Sequence, residues 1–173
     1  MPIPPAIPAA TILLVRDAPA GLEVLLVRRH GNSGFAAGAF VFPGGKVDIA
    51  DAALARRSPE AELLAHRVAA IRETWEEAGV FLGRRTGMPN LLDRDDVLRL
   101  RAAYPDPATA IDHILDRESI ELATDSTVRF AHWITPEAEP RRFDTQFFIA
   151  AAPAGQAAVA DGRETLECVW LSP

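Results

Sequence analysis

Residues 58–80 read SPEAELLAHRVAAIRETWEEAGV. Ser58 followed by Pro59 is typical of a helix start, because Ser caps the first turn and Pro has a backbone angle suited to the first helical position. Gly79 is typical of a helix end. Between these signals, apolar residues recur at steps of three and four positions, which predicts one long helix with a single buried face. These residues are Leu64, Val68, Ile71, Trp75 and Ala78.

Strand-like apolar runs lie on both sides of this helix. Residues 9–16 and 22–29 are joined by a turn-like Asp-Ala-Pro-Ala-Gly segment, which predicts a β-hairpin. Two charged segments after the long helix predict two further helices, and three more strands follow. The helical segments are residues 91–104 and 107–117, and the strands are residues 128–134, 142–152 and 164–171. This order predicts a mixed α/β fold over residues 1–173 as a single domain.

Composition limits the classes of protein to consider. The chain has 173 residues, of which 49% are apolar, and this suits one compact core. Its longest apolar run, residues 6–15, is too short to span a bilayer, and no basic residue precedes it as in a secretory signal. The single Cys168 cannot form an internal disulfide, so we expect a cytoplasmic protein. A net charge of −6 argues against nucleic acid as a partner.

The long helix carries a cluster of carboxylates opposite its apolar face. Glu73 and Glu77 are four residues apart, with Glu76 between them, and such a like-charge arrangement destabilises a helix unless positive charge lies nearby. A hard divalent cation such as Mg²⁺ or Mn²⁺ would bind these oxygens, and Arg72 could hold one carboxylate by a bidentate contact. A solvated acidic face is the alternative. Upstream, FPGGK at residues 42–46 permits close backbone approach, because Gly carries no side chain.

At these residues the sequence resembles the Nudix hydrolase family. RETWEEAGV at residues 72–80 matches the second half of the Nudix box. The first half is Gly45 followed by Asp51, where the family pattern usually has Glu, and a longer spacer precedes Arg72. The resemblance implies a mixed β-sheet between helices and a catalytic set in which Arg72 orients Glu73. It further implies a Mg²⁺ or Mn²⁺ site formed by Glu73, Glu76, Glu77 and the carbonyl group of Gly44.

A wider resemblance is to the coenzyme A and acyl-CoA diphosphatase branch of that family. LLVRR at residues 25–29, Gly38 and FPGG at residues 42–45 are similar to the signature before the box, although Val27 and Gly34 depart from it. RRFDT at residues 141–145 and a helical insert at about residues 91–123 also resemble this branch. The implied reaction splits CoA or acyl-CoA into 3′,5′-ADP and (acyl-)phosphopantetheine. ADP-ribose, NADH or dinucleotide polyphosphates are alternative substrates, and a non-catalytic nucleotide-binding module is an alternative function.

The phosphates of CoA suggest arginines as substrate-binding candidates, because one guanidinium group can bind two phosphate oxygens at once. The candidates are Arg28, Arg29, Arg141 and Arg142, although adjacent arginines could equally solvate strand edges. Phe35 either stacks on adenine or packs within its loop. Glu164 is a candidate general base or extra metal ligand, whereas Glu167 and the helix-surface His66 are interpreted as structural. Ser172-Pro173 is a helix-start signal, so we expect a C-terminal helix to be missing and a homodimer to be possible.

Overall fold

The computed structural model describes residues 3–31, 37–56, 60–106 and 109–173. Within these ranges the chain forms nine strands, four α-helices and a short 3-10 helix at Thr124–Ser126. The strands are β1 (Ala6–Ala18), β2 (Gly21–Arg29), β3 (Phe40–Val41), β4 (Gly44–Lys46), β5 (Gly83–Arg85), β6 (Ile120–Leu122), β7 (Val128–Ile134), β8 (Arg142–Ala151) and β9 (Thr165–Leu171). The helices are α1 (Ile49–Ala55), α2 (Ala61–Ala78), α3 (Arg94–Ala103) and α4 (Ile111–Glu118).

A seven-stranded mixed sheet forms the centre of the fold. Its order is β3-β2-β1-β8-β7, with β4 paired to β1 and β9 paired to β2. β1 and β2 form the predicted antiparallel hairpin, whereas β1 and β8 run parallel. The first half of β1 pairs with β4 and its last residues pair with β2, so the two glycines of β4 are bonded to the central strand. This mixed α+β arrangement confirms the predicted fold class.

Helix α2 packs on one face of the sheet. Its residues Ala69, Ala70 and Ile71 join a core built from alternate residues of β1, β2 and β8, which include Ile12, Leu14, Leu25, Val27 and Phe148. Gly79 ends the helix in the left-handed conformation, with φ of 60°, as predicted. The predicted start signal at Ser58 and Pro59 lies outside the described residues. Because α2 contacts α1, the 3-10 helix and strands of the sheet, more than one of its faces is buried.

His66 shows the consequence of this burial. We interpreted it as a helix-surface residue, but it is only 6% exposed, and its Nδ1 lies 2.8 Å from the carbonyl oxygen of Glu62. The prediction was wrong because a single apolar stripe implies one buried face, whereas α2 is covered on several sides. Arg67, the next residue, donates to the carbonyl oxygens of Thr124 and Thr127 from a neighbouring segment.

The segment between α2 and β7 contains the two predicted helices, α3 and α4, each shorter than its predicted range. They enclose a second apolar cluster with Trp75 and Phe81, whose rings meet edge to face at 5.1 Å. Strands β5 and β6 form a separate two-stranded sheet that sequence patterns did not indicate. Among the described residues, none of the helices has both the length and the apolar character needed to cross a bilayer.

Candidate active site

Arg72 is the organising residue of the carboxylate cluster. It is buried, and all five of its N–H groups donate hydrogen bonds. Nε and Nη2 bind the two oxygens of Asp51 at 3.0 and 2.9 Å, and Nη2 also reaches the carbonyl oxygen of Lys46 at 2.9 Å. Nη1 donates one hydrogen bond to Glu73 at 2.9 Å and one to Glu76 at 3.0 Å. The predicted contact from Arg72 to Glu73 is therefore present, as one of five.

Asp51 is the fully buried partner in this arrangement. It lies on α1, a helix that begins with a capping box: the side chains of Asp48 and Asp51 each accept a hydrogen bond from the other's backbone N–H at 2.9 Å. Both Asp51 oxygens thus accept a hydrogen bond from Arg72, and Oδ2 also accepts one from the backbone N–H of Asp48. The shorter carboxylate, where the family pattern usually has Glu, still binds the arginine in bidentate geometry.

The glycines of β4 allow the carboxylates to lie against the backbone. The Gly44 N–H donates to Glu77 Oε2 at 3.1 Å. A Cβ atom at Gly45 would lie 2.2 Å from Glu73 Oε1, and a Cβ at Gly44 would lie 2.4 Å from the carbonyl oxygen of Ala10. No other residue type fits either position without movement, so the Gly-Gly pair is a packing requirement of the site.

Burial and crowding weaken the acidity of the cluster. Burial, reinforced by the charge of Glu73, raises the pKa of Glu77 to about 8, and the Gly44 N–H and Arg29 only partly offset this. Burial also raises the pKa of Glu76 to about 7 despite the opposing charge of Arg72, and it raises the pKa of Glu73. Burial alone would lower the pKa of Arg72, but its hydrogen bonds and its acidic neighbours raise it. Arg72 and Arg29 therefore do not fully offset the burial of these carboxylates, and further positive charge would favour their ionised form.

A divalent cation is the chemical group that would supply this charge. In the described part of the chain, no three His, Cys, Asp or Glu side chains are already gathered around one point as a metal site. Glu73 and Glu77 nevertheless line one pocket together with Gly44 and Gly45, whereas Glu76 lines a separate, smaller pocket. Carboxylate and backbone oxygens are the donors that Mg²⁺ and Mn²⁺ prefer, so the residues present fit such an ion.

The pocket that contains Glu73 and Glu77 has a volume of about 1050 Å³. Its walls combine acidic, basic and aromatic side chains. Glu164, in the segment before β9, lies on the acidic side, and its charge raises the pKa of both Glu73 and Glu77. The basic residues are Arg29 and Arg141, with Lys46 contributing to the rim, and the aromatic residues are Phe40, Phe42, Trp133, Phe143 and Phe147.

The structure places only two of the four candidate arginines at the pocket. Arg29 and Arg141 line the pocket, but Arg28 and Arg142 do not. Arg28 lies 3.3 Å from the Glu167 carboxylate on the neighbouring strand, which agrees with a structural role for Glu167. Arg142 donates to the carbonyl oxygens of Pro4 and Thr135. A β-bulge lies between Arg28 and Arg29, and Arg141 precedes β8, which begins at Arg142. Each pair offers one guanidinium to the pocket. Phe35, the candidate for adenine stacking, lies outside the described residues.

The sequence patterns did not predict two features of the site, which are the bidentate contact of Asp51 and the aromatic wall of the pocket. The bidentate contact of Asp51 depends on α1, and the signal for this helix was the Asp48-x-x-Asp51 capping box. Trp133 lies on β7, and Phe143 and Phe147 lie on β8, and the sequence of these strands carries no signal for a pocket wall. Thr165 is also buried, and its hydroxyl donates to the Glu77 carbonyl oxygen at 2.6 Å, which joins the start of β9 to the end of α2.

Comparison with known sequences agrees with this architecture. The sequence model of the NUDT19 Nudix domain matches residues 54–173, which is more than half of the chain. The chain therefore belongs to the Nudix hydrolase family, and within it resembles the acyl-CoA diphosphatase branch.

Individual relatives are more distant. A Caenorhabditis elegans protein with a nudix hydrolase name is 29% identical over 151 residues, covering 87% of this chain and 47% of the relative. The acyl-coenzyme A diphosphatase NUDT19 of Xenopus laevis is 26% identical over 206 residues, covering 87% of this chain and 53% of the relative. This chain thus spans about half the length of these relatives. A NUDIX hydrolase structure from Alicyclobacillus acidocaldarius is 29% identical with a TM-score of 0.78, covering 98% of this chain and 80% of that one.

We expect Asp51→Asn to destabilise the protein by about 3 kcal/mol, because it leaves Arg72 without its buried bidentate partner. The free energy of unfolding from urea denaturation measures this effect. Asp125→Asn is the matched control, since Asp125 forms an exposed ion pair with Arg84 and such pairs contribute about 0–1 kcal/mol. Equal losses in the two variants would contradict a special role for the buried contact.

Alanine at the two glycines should have different consequences. At Gly45 the new Cβ meets the mobile end of Glu73, so we expect a folded protein whose affinity for Mn²⁺ falls at least about tenfold. At Gly44 it meets the backbone of β1, so we expect a large loss of thermal stability. Circular dichroism melts and titration with Mn²⁺ monitored by electron paramagnetic resonance distinguish these effects. Gly31→Ala, where a Cβ meets no atom of the described residues within 4 Å, should change neither thermal stability nor Mn²⁺ binding. Unaltered Mn²⁺ binding by Gly45→Ala would contradict a cation site at Glu73.

The raised pKa of Glu77 predicts how stability depends on pH without a divalent cation. A carboxyl group whose pKa is higher when folded stabilises the fold below its unfolded pKa of about 4.5, and this contribution is lost as pH rises towards 8. In EDTA the free energy of unfolding should fall by on the order of 1 kcal/mol per pH unit across this range. Glu77→Gln should reduce that slope while keeping the Gly44 contact. An identical slope in both proteins would show that Glu77 does not titrate as described.

Proposed function

We propose that this chain is a Mg²⁺- or Mn²⁺-dependent diphosphatase of CoA or acyl-CoA that yields 3′,5′-ADP and (acyl-)phosphopantetheine. One observation carries the proposal: the carboxylates of the buried Glu77 and the partly buried Glu73, held against the Gly44-Gly45 backbone, line the same pocket as Arg29 and Arg141. A site with acidic groups on one side and guanidinium groups on the other suits a phosphorylated substrate that binds together with a cation.

The two pocket arginines would bind the phosphate groups. Arg29 is close enough to Glu77 for its charge to lower the pKa of that carboxyl group, so it lies beside the proposed cation site. Arg141 stacks over the Phe143 ring at 5.2 Å. Coenzyme A carries a 3′-phosphate apart from its diphosphate, so a second cationic side chain matches its charge distribution.

Glu73, Glu77 and the Gly44 backbone would hold the divalent cation, with Glu76 next to them on α2. When bound, the ion neutralises negative charge on the diphosphate oxygens. Arg72 would act on this step indirectly, because its hydrogen bonds to Glu73 and Glu76 restrict where the two carboxylates can point. Asp51 in turn holds the guanidinium of Arg72 in place.

We assign the role of general base to Glu164. It lies at the pocket with Glu73 and Glu77, and its side chain is exposed, so a water molecule can reach it. The water oxygen would form a bond to one phosphorus atom while its proton passes to the Glu164 carboxylate. The bond from that phosphorus to the bridging oxygen breaks, and the bridging oxygen leaves on the other phosphate.

The choice of CoA rests on similarity to the acyl-CoA diphosphatase branch, including the curated Xenopus laevis relative. An assay with CoA, octanoyl-CoA, ADP-ribose, NADH and diadenosine tetraphosphate tests it directly. With Mg²⁺ or Mn²⁺ we expect the highest kcat/KM for a CoA substrate, with 3′,5′-ADP identified by mass spectrometry. A higher kcat/KM for any other compound in the set would overturn the CoA assignment.

Glu77→Gln tests the catalytic site itself. We expect kcat/KM to fall by about 1000-fold or more, because the variant loses a negative oxygen ligand but keeps the shape of the side chain. Glu167→Gln is the matched control, since Glu167 pairs with Arg28 outside the pocket and its loss should change activity less than about twofold. Equal activity of wild type and Glu77→Gln would contradict the proposed site, and inactivity of both on every substrate would favour a binding module.

A further inference from the structure

An aromatic wall extends from the pocket along strands β7 and β8. We define it as Phe130, Trp133, Phe143 and Phe147. Trp133, Phe143 and Phe147 line the same pocket as Glu73 and Glu77, and Phe130 continues the surface beyond it. Ring centroids of Phe130 and Trp133 lie 6.2 and 5.7 Å from that of Phe147, so the wall is one continuous surface.

A β-bulge creates this arrangement. Residues three apart in a regular strand point to opposite faces of a sheet, so Phe130 and Trp133 would normally lie apart. The register of β7 on β8 shifts between Arg129 and Ala131, which leaves Phe130 as an extra residue. Both rings consequently pack against Phe147. Bulges that redirect side chains are over-represented next to active sites.

The wall is unusually accessible to solvent. Trp133 is 70% exposed and Phe130 is 53% exposed, and the neighbouring Ile134 also lines the pocket and is half exposed. Large apolar side chains gathered on a surface favour a partner that removes them from water. Since the wall is continuous with the pocket, a substrate bound there would reach it without any rearrangement of the chain.

The chemistry of the wall selects the part of a substrate that it would cover. Recognition of a nucleobase needs hydrogen-bonding groups placed against its edges. The four side chains of the wall offer a single N–H, on Trp133, and no acceptor. Their surface also spans two strands, with Phe130 and Trp133 on β7 and Phe143 and Phe147 on β8. These features match a flexible apolar chain better than a base.

We propose that the aromatic wall binds the fatty-acyl chain of an acyl-CoA substrate and so gives the enzyme a preference for acyl-CoA over free CoA. This inference rests on the proposed function, since it places the diphosphate at Glu73 and Glu77. To that function it adds a part of the site that binds the acyl group. Trp133 is the central specificity residue, because its ring is the most exposed of the four.

Kinetics with substrates of increasing chain length test the proposal. Wild-type kcat/KM should rise by about tenfold or more from CoA to octanoyl-CoA. Trp133→Ala should reduce this ratio by at least about fivefold, because free CoA has no acyl chain that could lose a contact with the wall. Leu98→Ala is the matched control, since Leu98 is an exposed apolar residue on α3 that does not line the pocket, and it should leave the ratio unchanged.

Calorimetric titration of CoA and octanoyl-CoA without added metal keeps the proposal testable even if turnover is absent. Wild type should bind octanoyl-CoA more tightly than CoA, and Trp133→Ala should remove that difference. Equal binding of the two ligands by wild type would overturn the proposal. If Trp133→Ala lowers the affinity for CoA and for octanoyl-CoA equally, the wall binds the adenosine or pantetheine portion that the two ligands share. A dimer in analytical ultracentrifugation that dissociates in Trp133→Ala, with the acyl preference unchanged, would assign the wall to self-association.

Discussion

The buried guanidinium of Arg72 is the constraint on which the rest of the site depends. Its five donors are divided among α1, β4 and its own helix, so one side chain sets the relative positions of three elements. A charge can be buried at low cost only if opposite charges and hydrogen bonds compensate it. Asp51, which is fully buried, provides part of this compensation, and the partly exposed Glu73 and Glu76 provide the rest. The same contacts that stabilise the charge therefore orient two of the carboxylates.

The cluster has more negative charge than this one cation can balance. Glu77 is buried and Glu73 is largely buried, and the charge of Glu73 contributes to the raised pKa of Glu77. The fold therefore has uncompensated negative charge at the carboxylate cluster, beside the backbone of Gly44 and Gly45. A chain with a net charge of −6 can therefore present a receptor for a phosphorylated molecule, because the excess charge is concentrated where a divalent cation would reverse its sign.

Local irregularities of the sheet decide which side chains join the pocket. The bulge in β7 brings Phe130 and Trp133 onto one surface with Phe147. A second bulge lies between Arg28 and Arg29, and Arg29 lines the pocket with Leu26 while Arg28 lies beside Glu167. The phosphate-binding and acyl-binding parts of the proposed site thus both lie at irregularities of the strand register.

The sequence by itself determined the helix at α2, the hairpin, the three later strands β7, β8 and β9 and the acidic cluster, because periodicity, turn residues and the Arg-Glu spacing are local properties of the chain. Tertiary structure alone decided that His66 is buried, that Asp51 grips Arg72 and that Glu76 turns from the pocket that Glu73 and Glu77 share. It also decided which arginines and rings line that pocket. The physical reason is that burial, close approach and strand register depend on elements far apart in sequence, and no local pattern records how they pack.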